Sequence, residues 1–208
     1  MQKPSVEERV AASPFERYRD QDVLDLIDSF PLAWVVPVSG EAPGALLPLL
    51  AETGGDGKLA SVFGHMARHN PLVSALQADP RVSILFTGPQ GYVSTTMVTE
   101  ATWAPTWNYA QVQMSAVLEF VPEETGRSIE ALTGKMEGAI GSDWRPAMVG
   151  GRYAAMERAI IAFRATVTTM SARFKLGQDE SDVRFAEITS AMRDDALVAW
   201  MRRFRERA

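Results

Sequence analysis

Three apolar runs between residues 32 and 64 leave this chain little freedom of topology. They read "LAWVVPV" (32–38), "ALLPLLAE" (45–52) and "KLASVFG" (58–64), and only "SGEAPG" and "TGGDG" separate them. Gaps that short close hairpins, and the glycines of the second supply the backbone freedom of a tight turn. A parallel crossover needs a dozen or more residues. The runs therefore predict an antiparallel meander, whose first strand reads as buried.

The rest of the chain extends that plan. Val23, Leu26, Ile27 and Phe30 recur at helical spacing over 20–30, with Asp20 as N-cap and Pro31 as stop. Residues 71–80 read as a short helix, because Asn70 suits the N-cap and Pro71 the first helical position. "RVSILFTG" (81–88) returns as a strand, followed by a loop with Gly88, Pro89 and Gly91. The long run 106–121 places Val112, Met114, Ala116 and Leu118 on one side, as in a bent strand shared by two sheets of a barrel. Helix is predicted over 122–138, interrupted by Gly126 and Gly134, and a short helix near Tyr153. The last long strand spans 159–176, and one or two helices occupy 179–204. The fold class is mainly β with α (α+β): a six- to seven-stranded antiparallel barrel with flanking helices. A chain of 208 residues fits one domain, with 179–208 as a helical C-terminal extension.

Composition narrows the function classes. A net charge of −5 argues against a broad basic nucleic-acid footprint. The arginines of "MRRFRER" (201–207) read as a helix end that complements its own dipole. With no cysteine, disulfides, thiolate catalysis and zinc–thiolate sites are excluded. There is no run of eighteen apolar residues to span a membrane and no apolar core of a signal peptide near the start, so a cytoplasmic location is expected.

Both histidines of the chain fall in "VFGHMARHNP" (62–71), four residues apart. His65 and His69 have the spacing of a zincin pair, but Met66 stands where that mechanism needs a glutamate base. Asn70 before Pro71 is biased away from helical geometry, so the two histidines belong to a strand end and a loop. No metal site is expected. A second reading is an anion seat, with Arg68 and His69 beside a helix start and Asn70 contributing its amide. The competing reading is a surface turn with a good cap. In "WAPTWNY" (103–109) the aromatic side chains are either core or the wall of a flat, conjugated ligand, with Thr106 and Asn108 reading its polar edges. There is no G-x-S-x-G elbow and no G-x-G-x-x-G opening a helix.

Four segments together resemble the PaiB-type FMN-binding regulators. "GHMARHNP" is similar to their Gly-His-Met-Ala-(Arg/Lys)-x-Asn-Pro signature, and "FTGPQGYVS" (86–94) to Phe-x-Gly-Pro-His-x-Tyr-Ile-Ser. "APTWNYAQVQ" (104–113) resembles Val-Pro-Thr-Trp-Asn-Tyr, and "FKLGQD" (174–179) resembles Phe-Lys-Leu-Ser-Gln-Asn. The resemblance implies a split β-barrel related to the pyridoxamine-phosphate oxidase fold, acting as a homodimer with FMN at its interface. It implies that Arg68 holds the flavin phosphate, with His69 and Asn70 as neighbours. It further implies flavin contacts from His65, Met66, Thr106, Trp107 and Asn108. Lys175 and Gln178 match family positions without a role. A DNA contact is implied by the regulator name but is not supported by charge.

The sequence departs from the family where Pro-Ser-Trp-Tyr becomes "TTMV" (95–98) and where Gln90 replaces a histidine. Three functions stay open at this point: a flavin-binding regulator, a flavin-dependent oxidoreductase acting on a small molecule, and a barrel holding haem or another planar ligand through His65 or His69.

Overall fold

The computed structural model describes residues 13–207. Its element order is α1 (Asp20–Ser29), β1 (Leu32–Pro37), β2 (Ala45–Thr53), β3 (Leu59–Ala67), α2 (Pro71–Ala78), β4 (Arg81–Val93), β5 (Thr106–Phe120), α3 (Thr125–Ala139), α4 (Tyr153–Arg158), β6 (Ile160–Lys175), α5 (Asp182–Ala191) and α6 (Asp195–Arg205). The strands close into a barrel in the order β1-β2-β3-β6-β5-β4. The sheet closes on itself, so β5 serves one barrel and not two sheets. Chain contacts group into two compact units. The larger comprises Asp20–Gly88 and Gln111–Ser171; the smaller comprises, among the described residues, 13–19, Pro89–Ala110 and 172–207.

The meander of the larger unit is the predicted one: β1 pairs with β2, β2 with β3, and β3 with β6, all antiparallel. Ala33, Val35, Leu49, Val62, Met66, Val82, Ile84, Phe86, Val112, Met114 and Phe163 are buried and form its core. Against expectation, β1 is covered on one face only. Ala33 and Val35 are buried, while Leu32, Trp34 and Val36 are 53%, 49% and 42% exposed. The apolar run predicts burial of both faces, but the outer face of β1 stays exposed to solvent.

β3 also runs past Gly64, the strand end that the sequence pattern predicts. Gly64 pairs with Leu49, and a methyl group added there would lie 2.7 Å from Leu49 Cδ2 and 2.9 Å from the Pro48 carbonyl oxygen. The glycine permits close approach of β2; it does not stop the strand. β4 likewise continues through Gly88, Pro89 and Gly91, which were expected in a loop. At the other boundaries, Asp20 is the first residue of α1 and not its cap, a shift of one position. A short 3-10 turn, Pro122–Glu124, precedes α3.

In the smaller unit, α6 packs Trp200 and Phe204 against Phe174, with ring centroids 5.9 and 4.7 Å away. Leu197, Met201 and Phe174 are buried there. Among the described residues no helix is long and apolar enough to cross a membrane.

Candidate functional site

Strand alternation divides the residues of "GHMAR". Successive side chains of β3 point to opposite faces. Val62 and Met66 join the barrel core, while Ser61, Phe63 and His65 face outward toward α3. Met66 is 2% exposed within that core. His65 Nδ1 lies 3.1 Å from Ser128 Oγ on α3. Ser128 donates its hydroxyl proton to the Thr125 carbonyl at 2.8 Å, so it accepts from His65 Nδ1–H. This pattern assigns the ring proton to Nδ1 and leaves Nε2 as the acceptor nitrogen. Burial pushes the His65 pKa below its ordinary 6.5, so the ring is neutral at pH 7.

The outer face of β3 carries a charged cover over Phe63. Arg164 donates from Nε to Glu52 at 2.6 Å and from Nη1 to Glu124 at 2.9 Å. Arg127 joins both acids, and the Arg127 and Arg164 guanidinium carbons sit 4.8 and 5.1 Å from the Phe63 ring centroid. Hydrogen bonds from Arg164 and Arg127 hold the Glu124 carboxyl down to about 2, and Arg164 lowers Glu52 in the same way.

Arg68 begins the turn after β3, and its anchoring is of another kind. Its backbone N–H donates to the Ala159 carbonyl at 2.9 Å, and its Nε donates to the Arg158 carbonyl at 3.1 Å. Both acceptors lie at the C-terminal end of α4, where carbonyls lack helical partners. The guanidinium is thus oriented through one edge. Its Nη1 and Nη2 meet no protein acceptor among the described residues, and the side chain is exposed beside exposed His69. Asn70 caps α2: its Oδ1 accepts the Leu72 N–H at 3.0 Å and its carbonyl accepts the Val73 N–H at 2.9 Å. The first donors of α2 are therefore consumed locally. The anion reading rests on Arg68 and His69, and the helix start contributes the cap.

The smaller unit holds the remaining residues singled out from the sequence. Thr106 Oγ1 accepts from Lys175 Nζ at 2.6 Å, and the Trp107 carbonyl accepts from the same nitrogen at 2.9 Å. Asn108 is 2% exposed, with Nδ2 3.6 Å from Met201 Sδ. Lys175 thus fastens the start of β5. Gln178 clasps its own loop, accepting from Leu176 N–H at 2.7 Å and donating to the Phe174 carbonyl at 2.5 Å. Trp107 differs, being 54% exposed, with its ring 5.7 Å from that of Tyr92, itself 47% exposed. The divergent segment forms a 3-10 turn, Thr95–Met97, and Thr99 just beyond it donates through N–H and Oγ1 to Glu187.

Sequence reasoning missed Ser128, the Arg164 cluster and the α4 carbonyls. These partners lie 63 and 90 positions from His65 and Arg68, and no local pattern links them. Among the described residues no group of three or more histidine, aspartate or glutamate side chains is placed to hold a metal ion.

The closed six-stranded antiparallel barrel with flanking helices has the architecture of the split-barrel class. Within it, a family model described as "Putative FMN-binding domain" matches residues 11–169, and the chain belongs to that family of FMN-binding proteins. The match ends before Phe174, so Lys175 and Gln178 fall outside it. The chain is 23% identical over 142 residues to protease synthase and sporulation protein PAI 2 of Bacillus subtilis, covering 64% of this chain and 65% of that protein. Its fold is similar to the flavocytochrome Anf3 of Azotobacter vinelandii, with TM-score 0.56, 18% identity and coverage of 76% and 68% of the two chains. It is also similar to the FAD and heme binding protein of Mycobacterium smegmatis, with TM-score 0.54, 17% identity and coverage of 85% and 80%.

Proposed function

We propose that this chain holds the phosphate of FMN at Arg68 and works as a homodimeric flavin-dependent regulator of the kind the PAI 2 similarity suggests. The observation that carries the phosphate assignment is the Arg68 guanidinium, oriented through Nε by the Arg158 carbonyl and left with an outer edge that meets no acceptor among the described residues. That edge matches the fork geometry with which arginine grips phosphate oxygens. His69 adds a donor beside it, and Asn70 fixes the turn that carries both.

Bound FMN would supply redox chemistry or a redox-sensitive ligand state. The protein's own part is to orient the phosphate and to shield the remainder of the molecule. His65 is neutral, with an unprotonated Nε2, and is suited to accept a hydrogen bond rather than to give one. For regulation, the acidic chain offers no broad cationic face, so a protein or effector contact suits it better than a long DNA footprint. The apolar outer face of β1 supports the dimer. Leu32, Trp34, Val36 and Val38 are all exposed, and Leu46 of β2 pairs with Trp34.

A flavin-dependent oxidoreductase is the second reading. The exposed Tyr92–Trp107 pair favours it, because two ring faces are left open for a flat partner. One preparation separates the readings. Protein titrated with FMN should quench flavin fluorescence and absorb near about 450 nm, the general flavin band. Reduction of that flavin by NADH or NADPH with turnover of a small acceptor supports the enzyme. A flavin that binds but does not turn over, with promoter or partner binding that changes between its redox states, supports the regulator. Failure to bind FMN sinks both. A monomeric mass by light scattering, unchanged in Trp34→Glu, sinks the dimer.

A further inference from the structure

We propose that the trough between α1 and α3 is a binding site for an alkylammonium, an organic cation with an apolar stem. Two open cavities of about 380 and 390 Å³ adjoin there, because both are lined by Asp28 of α1 and Lys135 of α3. Ile27, Leu50 and Ala51 give the first an apolar floor, and Pro31, Met136 and Ala139 line the second. Each falls within the range of roughly 300–1,000 Å³ that small-molecule sites occupy. The helices aim the polar groups at one another. Asp25 and Asp28, three positions apart, share a face of α1, and Lys135 and Ala139, four apart, share a face of α3. None of these residues belongs to the seat at Arg68, so the site stands or falls independently of the FMN reading.

The chain already lays such a cation in the trough. Lys135 pairs its ammonium with the Asp28 carboxylate, and the lysine side chain is 22% exposed where that of Asp28 is 75% exposed. Its methylene stem therefore runs along the apolar lining while its head reaches the acid. Asp28 stands in the last turn of α1, where helix carbonyls carry partial negative charge and α1 has no basic residue of its own. Asp25 brings a second carboxylate to the first cavity, whose lining has Lys135 as its cation. A free alkylammonium repeats the Lys135 contact: its head takes Asp28, its stem takes the lining, and the flexible lysine swings into water. The exchange is cheap, because an ion pair with one partner so open to solvent contributes little. An alkanoate of the same length would meet carboxylates, and an alcohol would gain no ion pair.

The test titrates the full chain with n-hexylammonium, n-hexanoate and n-hexanol, read by calorimetry and by the rise in melting temperature. Lys135→Met keeps an apolar stem and removes the internal competitor, so it should bind n-hexylammonium about tenfold tighter than the wild type. Asp28→Asn should bind it about tenfold more weakly, and the double variant should lose the gain. FMN affinity should keep its wild-type value in all three variants. Hexanoate bound as well as hexylammonium overturns the proposal, because Lys135 would then be the recognising group. Hexanol bound equally well overturns it too, since charge would play no part. A gain in Lys135→Met that survives in the double variant removes Asp28 from the site and overturns it. So does the absence of hexylammonium binding in both the wild type and Lys135→Met.

Discussion

Two arginine clusters sit along the same strand of the larger unit, and they are completed in opposite ways. Over Phe63, near the middle of β3, Arg164 and Arg127 are met by Glu52 and Glu124 and cover an aromatic ring. At the end of β3, Arg68 donates to the backbone carbonyls of Arg158 and Ala159 and meets no carboxylate among the described residues. The first cluster has its charge balanced inside the protein and serves to fasten α3 to the barrel. The second is oriented by backbone carbonyls and has no counter-charge among the described residues, which is what the proposed phosphate seat would use. An arginine count could not separate them. What separates them is whether the folded chain supplies the counter-charge.

The largest expected effect breaks the closed cluster. Phe63→Ala removes a ring that is 2% exposed, and should cost about 3–5 kcal/mol, a fall in Tm of about 10 °C. FMN affinity of the protein that remains folded should change little. A flavin loss as large as the stability loss would mean that the two ends of β3 are not separate. Next comes the open cluster: Arg68→Ala should weaken FMN by about 1.5–3 kcal/mol and spare riboflavin, as read by fluorescence titration. Equal affinity for FMN before and after would remove Arg68 from the seat.

Smaller effects sharpen the contrast. Asn70→Ala removes the cap of α2 and should cost about 1 kcal/mol in urea denaturation. The acid limb of stability should belong to the closed cluster. Glu124 is held down to about 2, below its ordinary 4.5, so its contribution is complete above pH 4.5 and fades as pH falls toward 2. Glu124→Gln should flatten the fall in urea midpoint across that window; an unchanged slope would locate acid sensitivity elsewhere. His65 acts at higher pH. Its folded-state pKa lies below 6.5, so the unfolded chain takes up the proton first, and stability declines as pH drops beneath 6.5. His65→Gln should remove the decline that begins there.

Much of the scaffold was legible in the chain. The tight turns between the first three runs dictated the meander, and Asn70–Pro71 marked the start of α2. The aromatic run 103–109 held both of its alternatives: Asn108 is core and Trp107 is open. Two glycines misled, because Gly64 and Gly88 look like ends of strands when read along one dimension. Their purpose, at least for Gly64, is a close approach by Leu49 that only the paired strand reveals.

The sequence by itself determined the class of protein. Hairpin lengths, cap residues and the four family-like segments are local, and local propensity acts over a few residues. Tertiary structure decided which of those residues are available. Lys175 and Thr106 satisfy each other across 69 positions, His65 is fixed by Ser128, and Arg68 borrows its orientation from α4. Whether a polar group is spent or offered depends on partners brought close by folding, and that accounting exists only in three dimensions.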